Sequence, residues 1–232
     1  MPEPRPSQYA AAIAQRPWDA RLARKLITPL KETWVTPNYL TTVRLLVGVA
    51  AAAAFMPGTY GWSNLAALLL IVSNFLDHTD GELARISGKS SRLGHWYDLA
   101  SDALVTVLLF VAIGAGIEAK RGLLLGLHPA WGLPPVAVGT VAGVAVAVIF
   151  WLRMQIEELA GKAASRQPSM GGFETEDILY LLPLVTLCNG LEPFLVAAGI
   201  GAPLFALWVI FDYRRLMRRA RPVARQRTMG AI

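Results

Sequence analysis

Apolar residues in this chain come in blocks long enough to cross a bilayer, and that arrangement rules out an ordinary water-soluble fold. Six blocks stand out, at about 39–56, 62–80, 98–117, 134–154, 176–191 and 194–213. A hydrocarbon core needs about 20 apolar residues per helical crossing. Charged residues make up only 16% of the chain, against about 25% in a typical soluble domain. Turn signals separate the blocks: Pro57-Gly58, Pro134-Pro135 and Asn189-Gly190. The expected fold is all-α: a polytopic membrane protein of six transmembrane helices, with Pro183 interrupting the fifth.

The basic residues orient these spans. Net charge is +6, which in a soluble protein would suggest nucleic acid. Here the lysines and arginines flank apolar blocks, so topology explains them and no nucleic-acid partner is expected. Of the 22 basic residues, all but Lys120 and Arg121 fall on one side of a six-span path. The positive-inside rule places that side, with both termini, in the cytoplasm, as in an inner membrane. Residues 1–17 have no apolar core of a cleavable signal, so the first span is expected to direct insertion.

Before the first span, residues 18–31 repeat apolar side chains at helical spacing (Trp18, Leu22, Leu26, Leu30), with Arg21, Arg24, Lys25 and Lys31 opposite. Too short and too charged to span, this segment reads as an amphipathic helix lying in the membrane interface. A helix packed on the bundle is the alternative. The organisation is then a cytoplasmic segment with the interfacial helix (1–37), a six-helix membrane unit (38–215) and a basic cytoplasmic tail (216–232). Cys188 is the single cysteine, so no internal disulfide can form.

The stretch from Asp77 to Asp102, DHTDGELARISGKSSRLGHWYDLASD, sits between the second and third spans. Acids at the edge of a membrane core are costly and ask for a function. The apolar part of the second span, Trp62 to Leu76, is short, so its helix is expected to continue into the acids. At about 100° per residue, Asp77, Asp80, Gly81, Ala84 and Arg85 share one broad face. Ser91, Gly94, Asp98 and Asp102 repeat at helical spacing in the next helix. Two antiparallel neighbours would gather the four acids in one cleft.

Four clustered carboxylates cannot all stay ionised without cations, and Arg85 alone does not balance them. Oxygen donors without nearby cysteine favour Mg²⁺ or Mn²⁺. Small residues at 81, 84 and 94 would admit a phosphate group, and Arg85 could bind its oxygens. The chemistry suggested is metal-assisted phosphoryl transfer, with two ions. His78 and His95 read as interfacial or supporting residues rather than ligands.

The stretch resembles the signature of the CDP-alcohol phosphotransferase family, D-x2-D-G-x2-A-R-x8-G-x3-D-x3-D. All eight fixed positions are met, by Asp77, Asp80, Gly81, Ala84, Arg85, Gly94, Asp98 and Asp102. The six spans and the interfacial helix are also similar to that family. The resemblance implies that Asp77, Asp80 and Asp98 bind the metals, with Asp102 completing the second site and acting as the base for the acceptor hydroxyl. It implies that Gly81, Arg85 and Ser91 contact the CDP group. Asn38 and Thr41, in Pro37-Asn38-Tyr39-Leu40-Thr41, would help hold the nucleotide; from the residues alone, Asn38 reads as a helix cap. A homodimer is implied by the family alone.

The donor is expected to be CDP-diacylglycerol, because a site beside lipid suits a lipid nucleotide, and the acceptor a small alcohol. Arg153, Lys162 and Arg166 are candidates for an acceptor phosphate, and equally satisfy the positive-inside rule. Glu157 and Glu158 between them would suit a cationic acceptor, so the acceptor stays open. The alternatives are a CDP-linked small alcohol transferred to a lipid hydroxyl, a transporter using the acids as a relay, and a lipid-binding scaffold using the basic tail. Acids clustered at one edge, with no half-helix repeat, argue against transport.

Overall fold

The computed structural model describes residues 18–89, 91–121, 133–160 and 180–229. Among these the regular structure is helical: α1 (Trp18–Ile27), α2 (Pro37–Phe55), α3 (Tyr60–Ser87), α4 (Arg92–Arg121), α5 (Pro135–Ala160), α6 (Leu182–Leu187) and α7 (Leu191–Met229), with a 3-10 turn at Thr28–Leu30. Among the described residues, four segments are long and apolar enough to cross a membrane: α2, Arg92–Lys120 of α4, Pro135–Ile156 of α5 and Leu191–Arg218 of α7.

Local chemistry sets the helix ends. Thr36 caps α2, its hydroxyl accepting from the Tyr39 amide at 3.3 Å, and Pro37 opens the first turn. Asn38 therefore lies inside the helix and is not its cap. As the short apolar block required, α3 continues past Asp77 to Ser87, where Gly88 ends it at φ +66° in the left-handed region glycine tolerates. Helix α4 starts at Arg92, earlier than the third apolar block, because Ser91 accepts from the Gly94 amide at 2.9 Å. Before α7 the chain turns through Asn189 at φ +52°, with Cys188 exposed beside it.

The expected fifth span is helical at Leu182–Leu187 among the described residues, and residues 176–179 lie outside them. Pro183 stands in the first turn of α6, where a missing amide is harmless. Helix α7 continues through much of the basic tail to Met229.

Packing runs α3–α2–α4–α5–α7, with α1 and α6 against α3. The core is rich in small residues: Ala51, Ala52, Ala66, Ala67, Ala112 and Ala142 surround Phe55, Leu70, Leu109 and Ile113. Between membrane helices such residues allow close approach, and with it dispersion contact. A second cluster, including Ala145, Ile149, Ala206 and Val209, joins α5 to α7.

Two expectations about neighbours are refined. Asp77, Asp98 and Asp102 converge as expected, while the acid-bearing helices α3 and α4 are joined chiefly through α2, which contacts both. Gly48 permits this, since a Cβ there would meet Val105 of α4 at 2.7 Å and Ser73 of α3 at 3.1 Å. Helix α1 docks on α3 through Ala23 and Ile27, both buried, whereas Leu26 of the leucine stripe is 57% exposed. Packing on the bundle and an outward apolar side thus coexist in α1.

Candidate active site and metal centre

Three helices build the site. From α2 come Asn38, Thr41 and Arg44, spaced by three and therefore on one face. Helix α3 brings Asp77, Asp80, Gly81 and Arg85, and α4 brings Gly94, Asp98 and Asp102, with Ser91 at its cap.

Asp77, Asp98 and Asp102 converge. Each offers a carboxylate oxygen, and these oxygens lie within 4.8 Å of one another; among the described residues no other group of acids, histidines or cysteines does this. Asp80 stands apart from the trio. It is 4% exposed and accepts from the Thr41 hydroxyl at 2.8 Å. The other three side chains are 35–37% exposed, open enough to meet a ligand. Three of the four acids are thus open enough to serve as ligands, and Asp80 is buried against Thr41 and Arg44.

The residue that sequence reasoning missed is Arg44. It is 5% exposed and occupies the centre of the acids. Its Nη1 lies 2.5 Å from Asp77 and donates to Asp102, its Nη2 donates to Asp98 at 2.8 Å, and its Nε is 3.9 Å from Asp80. The Ser73 hydroxyl of α3 donates to its backbone carbonyl at 3.1 Å. In the sequence Arg44 reads only as one of the basic residues that set topology. The available signal was its phase: it follows Asn38 and Thr41 on the same face.

One guanidinium among four carboxylates leaves excess negative charge. The donor set is all hard oxygen, on rigid helices, which fits Mg²⁺ or Mn²⁺. Gly81 adds room, since nothing lies within 4 Å of where its Cβ would be.

The remaining candidates divide. Asn38, Ser91 and Gly94 come together: a Cβ at Gly94 would sit 2.8 Å from the Asn38 Oδ1 and 3.0 Å from the Ser91 Oγ. Thr42 and Tyr97, which the sequence did not single out, join α2 to α4 through their hydroxyls at 3.0 Å. Arg85 is exposed and pairs with Glu82. His78 Nδ1 lies 3.0 Å from the Asn74 carbonyl oxygen of its own helix, and His95 is exposed. Arg153 lies with its guanidinium 5.6 Å over the Phe205 ring, between α5 and α7. Lys162 and Arg166 lie outside the described residues.

The model of the CDP-alcohol phosphatidyltransferase family matches residues 34–211, a span that holds all three site helices. The chain belongs to that family. As a CDP-alcohol phosphatidyltransferase family member it is a multi-pass integral membrane protein of an enzyme family. Cholinephosphotransferase 1 of Danio rerio is 36% identical over 107 residues, 43% of this chain and 26% of that protein. Archaetidylinositol phosphate synthase of Pyrococcus horikoshii is 37% identical over 82 residues, 34% of this chain and 42% of that one. This chain therefore matches less than half the length of these curated relatives. The fold is shared with phosphatidylinositol phosphate synthase of Mycobacterium tuberculosis, solved with CDP-DAG bound: TM-score 0.51 at 20% identity, over 87% of this chain and 92% of that one. The same synthase has been solved with manganese and citrate, with TM-score 0.51 at 20% identity, over 86% and 87% of the two chains.

Proposed function

We propose that this protein transfers a phosphatidyl group from CDP-diacylglycerol to a small alcohol, releasing CMP. The observation that carries the reading is the convergence of Asp77, Asp98 and Asp102 within a complete family signature. Asp102 takes the proton of the acceptor hydroxyl as its oxygen forms a bond to the phosphorus bearing the lipid alcohol. The bond from that phosphorus to the CMP oxygen breaks, and CMP leaves with the electron pair. Asp77, Asp98 and Asp102, backed by Asp80, would hold two ions of Mg²⁺ or Mn²⁺, which supply charge neutralisation of the pyrophosphate. Arg44 keeps the carboxylates in register across two helices. Asn38, Thr41, Gly81, Arg85 and Ser91 contact the CDP group. Arg153, with Lys162 and Arg166, contacts the acceptor.

The membrane unit, 38–215, crosses six times, with termini and site on the cytoplasmic face, and works as a homodimer. The test is CMP release by purified protein with CDP-diacylglycerol, Mg²⁺ or Mn²⁺ and a panel of small alcohols. Release that needs both metal and acceptor supports the reading; no release with any acceptor overturns it. A second reading has the CDP group carry the small alcohol and a lipid hydroxyl accept it. The 36% identity to a cholinephosphotransferase favours this alternative. CMP release from a CDP-amino alcohol and diacylglycerol, and not from CDP-diacylglycerol, would establish it.

A further inference from the structure

Glu82 is a buried carboxylate that the proposed chemistry leaves unused. It occupies a free position of the signature, next to Gly81, and is 1% exposed. Two residues on from Asp80, it points about 200° around the helix, away from the acid cluster. An ionised carboxylate so buried costs several kcal/mol unless cations and hydrogen bonds compensate it. Arg85, one turn on, pairs with Oε1 of Glu82, and Arg24 of α1 lies 3.8 Å from Oε2. One carboxylate therefore joins the interfacial helix to the arginine of the signature.

The same contact region is closed by apolar packing. Ala23, Ile27 and Leu83 are all buried where α1 meets α3. Beyond the end of α3, the Lys89 ammonium donates to the Thr33 carbonyl at 3.1 Å, holding the chain that leaves α1. Arg85, by contrast, has a side chain 63% exposed. An arginine side chain has about 2 kcal/mol of rotamer entropy to lose on binding a ligand. Its anchorage to Glu82 uses Nη1 and leaves other N–H donors of the guanidinium for a phosphate.

We propose that Glu82 is a positioning residue for donor binding: tied to Arg24 of the interfacial helix, it presets Arg85, so donor affinity depends on the docking of α1. The inference rests on the reading that Arg85 contacts the donor. An ordered arginine binds an anion with less conformational loss than a free one. Arg24 supplies the second cation facing Glu82 and helps hold it in place.

The test uses full-length protein, with donor KM, acceptor KM and kcat from CMP release, and CDP binding by calorimetry without acceptor. Glu82→Gln is expected to raise donor KM and weaken CDP binding about fivefold, with kcat and acceptor KM within about twofold of wild type. Arg24→Gln shifts donor KM in the same direction, and adds nothing in a Glu82→Gln background, because one route carries both effects. Lower thermal stability with unchanged donor KM and CDP affinity in both single variants would overturn the proposal, as would additive effects in the double variant. If Glu82→Gln does not fold, Arg24→Gln, at a half-buried position, decides alone. Arg85→Ala separates the two readings. If it leaves donor KM unchanged, the donor role of Arg85 fails; if it raises donor KM while Glu82→Gln does not, only the positioning role fails.

Discussion

Arg44 donates to the Asp98 carboxylate at 2.8 Å and to the Asp98 backbone carbonyl at 3.2 Å, across 54 residues of sequence. The same guanidinium reaches Asp77 on α3. A single side chain from the middle helix thus ties together both acid-bearing helices.

Arg44→Met should therefore unfold more readily than any single aspartate variant. Removing one partner from a buried ionic cluster costs about 3–5 kcal/mol. Thermal unfolding in detergent checks this, and added Mn²⁺ should narrow the deficit, because a bound cation replaces part of the lost charge. Arg44→Lys should fall between, since an ammonium cannot span two carboxylates as a planar fork does.

Asp77→Asn, Asp98→Asn and Asp102→Asn should each lower kcat about 100-fold or more, the scale of losing one preorganised electrostatic contact in a transition state. Their melting temperatures in EDTA should equal or exceed that of the wild type, since each removes repulsion among acids. Asp80→Ala should lose turnover and about 1–3 kcal/mol of stability as well, because the buried Thr41 hydroxyl loses its carboxylate partner. Steady-state kinetics and unfolding on the same preparations separate the two classes.

Chelation should abolish CMP release, and Mg²⁺ or Mn²⁺ should restore it. Mn²⁺ should also raise the melting temperature of the wild type, as any ligand of the folded state must. Asp98→Asn should lose most of that rise, read by unfolding curves with no substrate present.

Gly94→Ala tests the contact between α2 and the start of α4. The new methyl would meet the Asn38 side chain at 2.8 Å and the Ser91 hydroxyl at 3.0 Å. Both can turn away, so the fold should survive while donor KM rises several-fold, as expected when an interaction that positions substrate is lost. Gly48→Leu differs: it would press on Val105 and Ser73, wedge α2 from both neighbours, and cost stability of about 1–3 kcal/mol.

The acids were legible in the sequence because their spacing carries the signature and their helical phase. Phase says which residues share a face, but not which helix that face meets, so the intervening α2 was invisible. Arg44 was missed for the same reason: its phase places it on the face of Asn38 and Thr41, but its partners lie on two other helices, with Asp98 and Asp102 54 and 58 residues away. The length of α3 was readable because Trp62–Leu76 is too short to cross alone. The docking stripe of α1 was not, since lipid and protein compete for apolar side chains and the smaller pair, Ala23 and Ile27, fits against α3.

The chain is made from its N-terminus, so Arg44 enters the membrane before any of its four acids does. An arginine in a nascent span costs up to about 3 kcal/mol on insertion scales. The first helix would then be held at the insertion machinery as a marginal span until Asp77 and, later, Asp98 and Asp102 arrive. Seating α2 and completing the acid cluster become a single event, so a chain whose acids fail to arrive should be released to quality control rather than accumulate as an inserted protein.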